Sequence, residues 1–479
     1  MTAAGYSPDS ASTGRGRWHA PVADGPLHAT VTVPGSKSLT NRELVLASLA
    51  DGPSRLIAPL HSDDSAHMIE ALRALGVGIE LVPGTGTYGD DIEVTPAWPL
   101  RGETEVNCGQ AGTVMRFVAG LGGFAVGDVT MTAHESALHR PMGAMITALR
   151  DVGVDIDDGG HWALPFTVRG HGHVRGGEVT IDASASSQFV SGLLLAAPRF
   201  DVGLHLVHAG ERLPSIPHID MTVEALAHRG VHVERPAVGE WIVPAGPLRG
   251  KDVAIEPDLS NAAPFLAAAM IAGGAVAVTG WPAHSTQPGA MLTDILSLMG
   301  ARVVRRGGAL TVTAGAGIQG VDLDLSAAGE LTPTIFALAA FADSPSTLHG
   351  IGHIRGHETD RISALVAELR ALGGEAEELP DGIRIVPRPL HGGTWHAHHD
   401  HRMATTGALI GLAVPGVEVD DIGTTAKTMP EFPQIWQGML DGEHAEPARP
   451  RVAAPGADGG ATDGDASDGG RPEETIRAS

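Results

Sequence analysis

Along this chain, apolar residues fall at helical spacing in short runs that stop at a glycine, and each run is followed by alternating Val, Ile, Asp and Glu. Ala71-Leu72-Arg73-Ala74-Leu75-Gly76-Val77 is the first copy, and residues 148–154, 225–231, 295–301 and 368–374 repeat it. Gly76, Gly153, Gly230, Gly300 and Gly373 stand where a left-handed C-cap ends a helix, and the alternation after them predicts strands. A second helix type, rich in Ala, Leu and Gly, lies between these copies and opens on small or polar clusters. Its six heads are Ser36-Lys37-Ser38, Gln110-Ala111-Gly112-Thr113, Ser186-Ser187-Gln188, Asp258-Leu259-Ser260-Asn261, Glu330-Leu331-Thr332 and Asp400-His401-Arg402. A period of roughly 70 to 76 residues exceeds that of common solenoids, so each copy should be a small α/β subdomain, and six copies suggest two lobes of three.

The sixth unit looks short at its C-terminal end, while the strand-like segment 28–33 precedes the first head. That strand is expected to complete the lobe holding the end of the repeats. One lobe is then 21–34 plus 255–440 and the other 35–254, joined by two crossings that can act as a hinge. Residues 1–20 and the Gly/Ala/Asp/Pro-rich residues 441–479 carry no apolar periodicity and are expected to be disordered. The longest apolar stretch, 262–278, is interrupted by Gly273 and Gly274 and fits a buried helix plus strand better than a membrane span.

Charge narrows the ligands. At a formal −24 over 479 residues, the chain is ill suited to nucleic acid or an acidic membrane surface, so an anionic ligand must be small and held by a local cationic pocket. Six helix heads aimed at one gap would supply such a pocket, because helix starts present unpaired N–H groups and the positive end of the dipole. Cations available to it are Lys37, Arg42, Arg116, Arg140, Arg361, Arg402 and Lys427. Only Lys37, Lys251 and Lys427 among the 32 basic residues are lysines. An ammonium at position 37, in the string Pro34-Gly35-Ser36-Lys37-Ser38-Leu39-Thr40-Asn41-Arg42, therefore points to a compact charge that can also exchange a proton. The single cysteine, Cys108, rules out an internal disulfide framework, fits a reducing cytoplasm and reads as a buried small side chain. Residues 1–18 lack the apolar core of a signal peptide.

Six segments in order carry a family resemblance: Pro34 to Arg42, Gln110-Ala111-Gly112-Thr113-Val114-Met115-Arg116, Ser186-Ser187-Gln188-Phe189, His357-Glu358-Thr359-Asp360-Arg361, Asp400-His401-Arg402-Met403 and Thr425-Ala426-Lys427-Thr428. Over about residues 22–440 the chain resembles the EPSP synthase (3-phosphoshikimate 1-carboxyvinyltransferase) family. The resemblance implies an enolpyruvyl transferase-like inside-out α/β barrel of two lobes, each of three βαβαββ units. It implies transfer of the enolpyruvyl group of phosphoenolpyruvate to the 5-hydroxyl of 3-phosphoshikimate with release of phosphate, without metal or organic cofactor; two lobes closing on themselves suggest a monomer. Carried over by position, 3-phosphoshikimate would be held by Lys37, Ser38, Arg42, Ser186, Ser187, Gln188, Ser215 and Glu330. Phosphoenolpyruvate would be held by Lys37, Gly112, Arg140, Gln188, Arg361, Arg402 and Lys427. Glu330 would be the base and Glu358 the acid, with Lys37 near the transferring group. Gly112 and Thr113 are the residue types the family associates with sensitivity to glyphosate.

Two positions depart from the common family pattern. Glu330 stands where many members have aspartate, and His357 stands where many have lysine; His357, with His353, is expected near the hydroxyls of the shikimate ring. Two rival readings remain open at this point. A UDP-N-acetylglucosamine enolpyruvyl transferase uses a reactive cysteine in a mobile loop, but residues 137–141 hold none. A non-enzymatic anion-binding repeat protein leaves the paired carboxylates Glu330 and Glu358 unexplained. Two apparent motifs are discounted. Gly84-Thr85-Gly86-Thr87-Tyr88-Gly89 fits a dinucleotide pattern but leads into a strand, so it reads as a hairpin turn. The cluster His396, His398, His399, Asp400 and His401 is too tightly spaced for zinc and reads as loop histidines.

Overall fold

The computed structural model describes residues 17–84 and 86–442 and the backbone of 444–445. All six heads open helices: Lys37–Ser48, Gly112–Leu121, Ser187–Ala196, Leu259–Ala272, Thr332–Ala340 and His401–Gly411. The five run-ending glycines all adopt positive φ, between 87° and 100°, as a C-cap requires. The 262–278 stretch is a helix ending at Ala272 and a strand, Gly274–Thr279.

One unit shows how the repeat is built. Strand Asp322–Asp324 leads to helix Thr332–Ala340, then to strand Ser346–His349, helix Arg361–Ala371 and the hairpin of Glu375–Leu379 with Gly382–Val386. The first two strands pair in parallel, as their helical crossover demands, and the last two add antiparallel. This βαβαββ pattern yields six sheets among the described residues, none of which closes on itself. Within each group of three units the head helices pack on one another in the interior. They read as nearly continuous apolar runs because they are buried on every side: every residue of Leu259–Ala272 through Met270 is buried.

Two hydrophobic cores result. One runs from Leu44 to Ile255, and the other joins Ala20 to Val33 with Leu259 to Met439. Where the chain passes between them, the crossings exchange strands. Leu27–Val31, which precedes the first head helix, pairs with Gly274–Thr279 of the fourth unit, while Val253–Ala254, which precedes the fourth head helix, pairs with Ser54–Ile57 of the first. The two passages lie side by side, the Ser36 amide donating to Glu256 O at 2.7 Å and the Asp258 amide to Pro34 O at 2.8 Å. Gly35 sits at this point because a Cβ there would stand 2.5 Å from Ala58 O.

Both ends of the described chain correct the expected boundaries. Disorder was expected through residue 20, yet Trp18–His19 pairs with Val417–Val419 and completes the sixth sheet. The chain was expected to leave the fold at Asp441, yet His444–Ala445 adds a parallel edge strand beside Thr30 and Val31. The apolar periodicity that marks helices cannot reveal two-residue edge strands, which are held by backbone bonds alone. The rest of both expected disordered segments, 1–16 and 446–479, lies outside the described residues. Gly84 to Gly89, of which Thr85 is not described, links the antiparallel strands Gly78–Val82 and Asp91–Thr95, as a hairpin turn does. Among the described residues no helix is long and apolar enough to cross a membrane.

One buried charge pair ties the first core together. Arg229 is fully buried and donates to Glu43 Oε2 from Nε at 3.0 Å and from Nη2 at 2.7 Å, with Nη1 bonded to Ser54 Oγ and Arg249 O. Removing one partner strands the other charge away from water. Glu43→Ala is expected to lower unfolding free energy by about 3 kcal/mol in denaturant titration, and a loss below about 1 kcal/mol would show that water reaches Arg229.

Candidate active site

All six head helices begin at one cleft between the two cores. Its walls include Ser36, Lys37 and Ser38 from the first, Gly112 and Thr113 from the second, and Ser186 and Gln188 from the third. The opposite wall brings Asp258 and Ser260, Glu330, and His401 and Arg402 from the fourth, fifth and sixth. The convergence follows from the repeat: identical units arranged around each core aim equivalent helix starts the same way, and the cores face each other. Ser36, Ser186, Asp258 and Asp400 cap their helices through their side chains.

The cleft encloses about 130 Å³. It is spanned by bonds between the two cores. His218 Nε2 lies 3.2 Å from Glu330 Oε1, Lys427 Nζ donates to Gln110 O at 3.1 Å, and the Ser215 amide donates to Ser326 O at 2.9 Å. Nearer the rim, Thr286 donates to Glu224 at 2.8 Å and Arg212 pairs with Asp381.

The cations are held in place by partners that leave part of each free. Arg361 is the most constrained: Nε and Nη2 grip Asp400 at 2.7 and 3.1 Å, Nη2 reaches Glu358 at 2.9 Å, and Nη1 meets His357 Nδ1 at 3.0 Å. Lys427 Nζ pairs with the other oxygen of Glu358 at 2.8 Å. Arg140 donates to Gln110 O, Arg402 to Ser260 O, and Arg116 to Gln188 Oε1 at 2.6 Å. Lys37 Nζ rests 3.2 Å from Asp64. Burial, then the neighbouring Arg140, brings the Arg116 guanidinium down to about 10.

Both carboxylates belong to one unit, each just ahead of one of its two helices. Burial alone would favour their neutral forms. At Glu358, Lys427 and Arg361 overcome burial and hold the carboxyl well below its usual range. At Glu330, His218 and then Arg402 do the same, and Ser260 Oγ adds a hydrogen bond at 3.2 Å. His357 goes the other way: burial, and then Arg361, push it well below the usual histidine range, so it is neutral. Since Arg361 donates to Nδ1, the His357 proton sits on Nε2. Its ring stands 5.9 Å from that of His353.

Most residues expected at the site do line the cleft: Lys37, Ser38, Gly112, Arg140, Ser186, Gln188, Glu330, His357, Glu358, Arg361 and Arg402. Lys427 stands directly behind Glu358. Like Lys427, three more of the expected contacts are not on the lining. Arg42 is buried behind the wall, its guanidinium bonded to Thr222 Oγ1, Ser38 O, Ser191 Oγ and His218 O. Ser187 is buried in the first turn of its helix. Ser215 adopts a left-handed φ of 54° and contributes its amide to the bond across the cleft. Conversely, His218 and Asp64 line the cleft outside any of the expected heads, and Ser260, though in a head, was given no individual role. Their partners lie 27 to 112 positions away, by subtraction of residue numbers, so no local pattern announces them.

Cys108 lies in the first core, where burial pushes its thiol up to about 12, which removes it as a nucleophile. In the histidine-rich loop, His396 is paired with Asp420 and His398 with Glu368, both at 2.8 Å. Among the described residues no group of three or more His, Cys, Asp or Glu side chains is placed to hold a metal ion.

Two cores of βαβαββ units enclosing a cationic cleft define a two-lobed α/β protein of the enolpyruvyl transferase type. Solved structures agree with that architecture: two EPSP synthase structures from Acinetobacter baumannii superpose with TM-scores of 0.74 and 0.71 at 23% and 24% identity. They cover 90% and 86% of this chain and 98% and 96% of their own. Residues 22–436 match the EPSP synthase (3-phosphoshikimate 1-carboxyvinyltransferase) family, and the chain belongs to it. It is 52% identical over 431 residues to the 3-phosphoshikimate 1-carboxyvinyltransferase of Kocuria rhizophila, spanning 89% of this chain and 97% of that protein.

A methyl group at position 112 tests where a small anion sits. A Cβ on Gly112 would lie 2.9 Å from Arg116 Nη1 and 3.2 Å from Gln188 Oε1, both movable side-chain ends. Gly112→Ala is therefore expected to keep the melting temperature. It should weaken inorganic phosphate binding, read by isothermal titration, about tenfold, the scale of one lost charge-assisted hydrogen bond. An unchanged affinity would place the anion elsewhere.

Proposed function

We propose that the chain transfers the enolpyruvyl group of phosphoenolpyruvate to the 5-hydroxyl of 3-phosphoshikimate, giving 5-enolpyruvylshikimate 3-phosphate and inorganic phosphate. The observation that carries this reading is the meeting of helix starts and cations from both cores around two carboxylates, in a member of the EPSP synthase family. The family match does not support UDP-N-acetylglucosamine as acceptor, and a passive anion binder has no use for Glu330 and Glu358.

In this reading 3-phosphoshikimate lies against Lys37, Ser38, Ser186, Gln188, Glu330 and His357. Phosphoenolpyruvate lies against Lys37, Gly112, Arg140, Gln188, Arg361, Arg402 and Lys427. The 5-hydroxyl gives its proton to Glu330 while its oxygen attacks C2 of phosphoenolpyruvate and Glu358 protonates the methylene carbon. The tetrahedral adduct then loses phosphate as Glu358 takes a proton back from the methyl group, restoring the C=C bond, while the proton held by Glu330 passes to the departing phosphate, which leaves as the hydrogen phosphate dianion and returns Glu330 to its ionised form. Cations around the departing phosphate stabilise its charge. Atoms and charge balance with no metal or organic cofactor.

Glu358 is ionised in the empty cleft, so it must first gain a proton. The substrate supplies the reason: its carboxylate and phosphate take over Lys427, Arg361 and Arg140, and burial is then left to raise the carboxyl. The neutral His357 donates Nε2–H to a ring hydroxyl, a task that needs no charge. Residues 21–34 with 255–440 and residues 35–254 act as lobes that part on the paired crossings to admit substrate, since the bonds spanning the cleft must break first. The cleft is complete within one chain, which suits a cytoplasmic monomer.

Turnover is read as phosphate release from phosphoenolpyruvate with 3-phosphoshikimate, against UDP-N-acetylglucosamine as the control acceptor; release only with the latter overturns the proposal. Lys37→Ala and Glu358→Ala are each expected to lower kcat at least about 100-fold with the fold intact by circular dichroism. Near-normal rates in either variant remove that residue from the chemistry. Phosphoenolpyruvate binding should also take up protons through Glu358. The sign follows from a carboxyl whose affinity for protons rises on binding, so uptake grows as pH falls from about 7 toward 5. Calorimetry in buffers of different ionisation enthalpy should show more uptake in the wild type than in Glu358→Gln, and equal uptake would mean that Glu358 stays ionised.

A further inference from the structure

His218 stands opposite Glu330 across the cleft, and the two come from different cores. It occupies the first turn of helix Ile216–His228, whose Ile219, Ala225 and Leu226 sit in the first core. Glu330 lies in the turn Gly329–Leu331, anchored through Leu331 in the second. Nε2 of His218 is 3.2 Å from Oε1 and 3.3 Å from Oε2 of Glu330, so one ring N–H addresses both oxygens. The histidine is rigidly mounted. Its carbonyl accepts from Arg42 Nη2 at 2.8 Å, Thr222 Oγ1 at 3.1 Å and Ser191 Oγ at 3.4 Å. Arg42 in turn is buried and also bonded to Thr222 Oγ1, Ser38 O and Ser191 Oγ, which explains why a guanidinium expected on the ligand stands behind the wall.

On its own side, Glu330 keeps the Ser260 hydroxyl bond, at 3.2 Å, beside its own backbone N–H and the Arg402 charge. Parting of the cores would leave that bond and remove His218. We infer that His218 is a positioning residue that orients the Glu330 carboxylate only when the two cores close, so that the proton acceptor is completed by closure itself. The inference rests on the reading of Glu330 as base. Its chemistry is plain: an N–H shared between both oxygens fixes the carboxylate plane, and the remaining lone pairs face the cleft, where a substrate hydroxyl can donate.

Titratable groups facing Glu330 come from several elements: His218 from the opposite core, Arg42 behind it, and Arg402, Arg361, His353 and His357 from its own side. Taking away His218 leaves burial opposed mainly by the arginines, so the carboxylate should hold a proton to higher pH. A base must be ionised to act. The acid limb of the kcat profile should therefore move upward in pH.

The test is steady-state kinetics of full-length His218→Ala, His218→Gln, Glu330→Gln and the double variant His218→Ala with Glu330→Gln. His218→Ala should lower kcat about tenfold, keep both KM values within about twofold, and shift the acid limb to higher pH. His218→Gln, which retains an N–H donor, should recover most of kcat at alkaline pH. In the Glu330→Gln background, His218→Ala should cost nothing further. A raised KM for 3-phosphoshikimate with unchanged kcat, an unmoved acid limb, or an additive double variant overturns the inference. The two readings fail separately: a near-normal kcat in Glu330→Gln sinks the base assignment, whereas an inactive Glu330→Gln beside a normal His218→Ala sinks only the role of His218.

Discussion

Everything in this cleft depends on holding several buried cations beside one another through the carboxylates that pair with them. Arg361 is fixed by Asp400 on one side and shares Glu358 with Lys427 on the other. Asp400 does double work, since it also caps the helix that carries Arg402. Without these carboxylates the cations would repel one another in a poorly hydrated space, and the desolvation cost would favour opening or unfolding. A substrate carrying a carboxylate and a phosphate can substitute for them. The same groups that stabilise the empty site therefore set its affinity for anions and the proton affinity of Glu358.

The repeat explains how one chain builds such a site. A βαβαββ unit buries one helix completely and points that helix's start toward the axis of its lobe, so three units bring three starts together and two lobes bring six. Leu27–Val31 and Val253–Ala254 each pair in the sheet of the lobe that the chain is leaving, so each crossing is anchored before it passes to the other lobe. Gly35 allows the two passages to lie close. The two crossings run directly into the cleft wall at Ser36 and Asp258, and the lobes meet again through the bonds that span the cleft.

How far the residues alone disclosed this varies by element. The glycine-stopped helices, the six heads and the division of 262–278 at Gly273 were legible because each depends on local rules: apolar period, capping chemistry and backbone freedom. So were Lys37, conspicuous among so few lysines, and the string around it. The places of Arg42, Ser187 and Ser215 were not legible, because the same residue at a helix start can face ligand or be turned inward, and packing on the neighbouring helix decides which. Arg42 turned inward because Thr222, Ser191 and the carbonyl of His218 offered a complete set of acceptors. The edge strands Trp18–His19 and His444–Ala445 were missed for a related reason, since two residues of backbone pairing leave no periodic trace.

By itself, then, the order of residues determined the repeated unit, the number of its copies, the small anionic character of the ligand and, through family resemblance, the reaction. These follow from short-range physics and from motifs a few residues long. Only the tertiary structure decided which groups share a charge: Lys37 with Asp64, Lys427 with Glu358, and His218 with Glu330 across the two cores. The first two are set by packing within one lobe, and the third, between residues 112 positions apart, by how the two lobes meet. No local pattern encodes that meeting, because its geometry is the sum of every core contact on both sides.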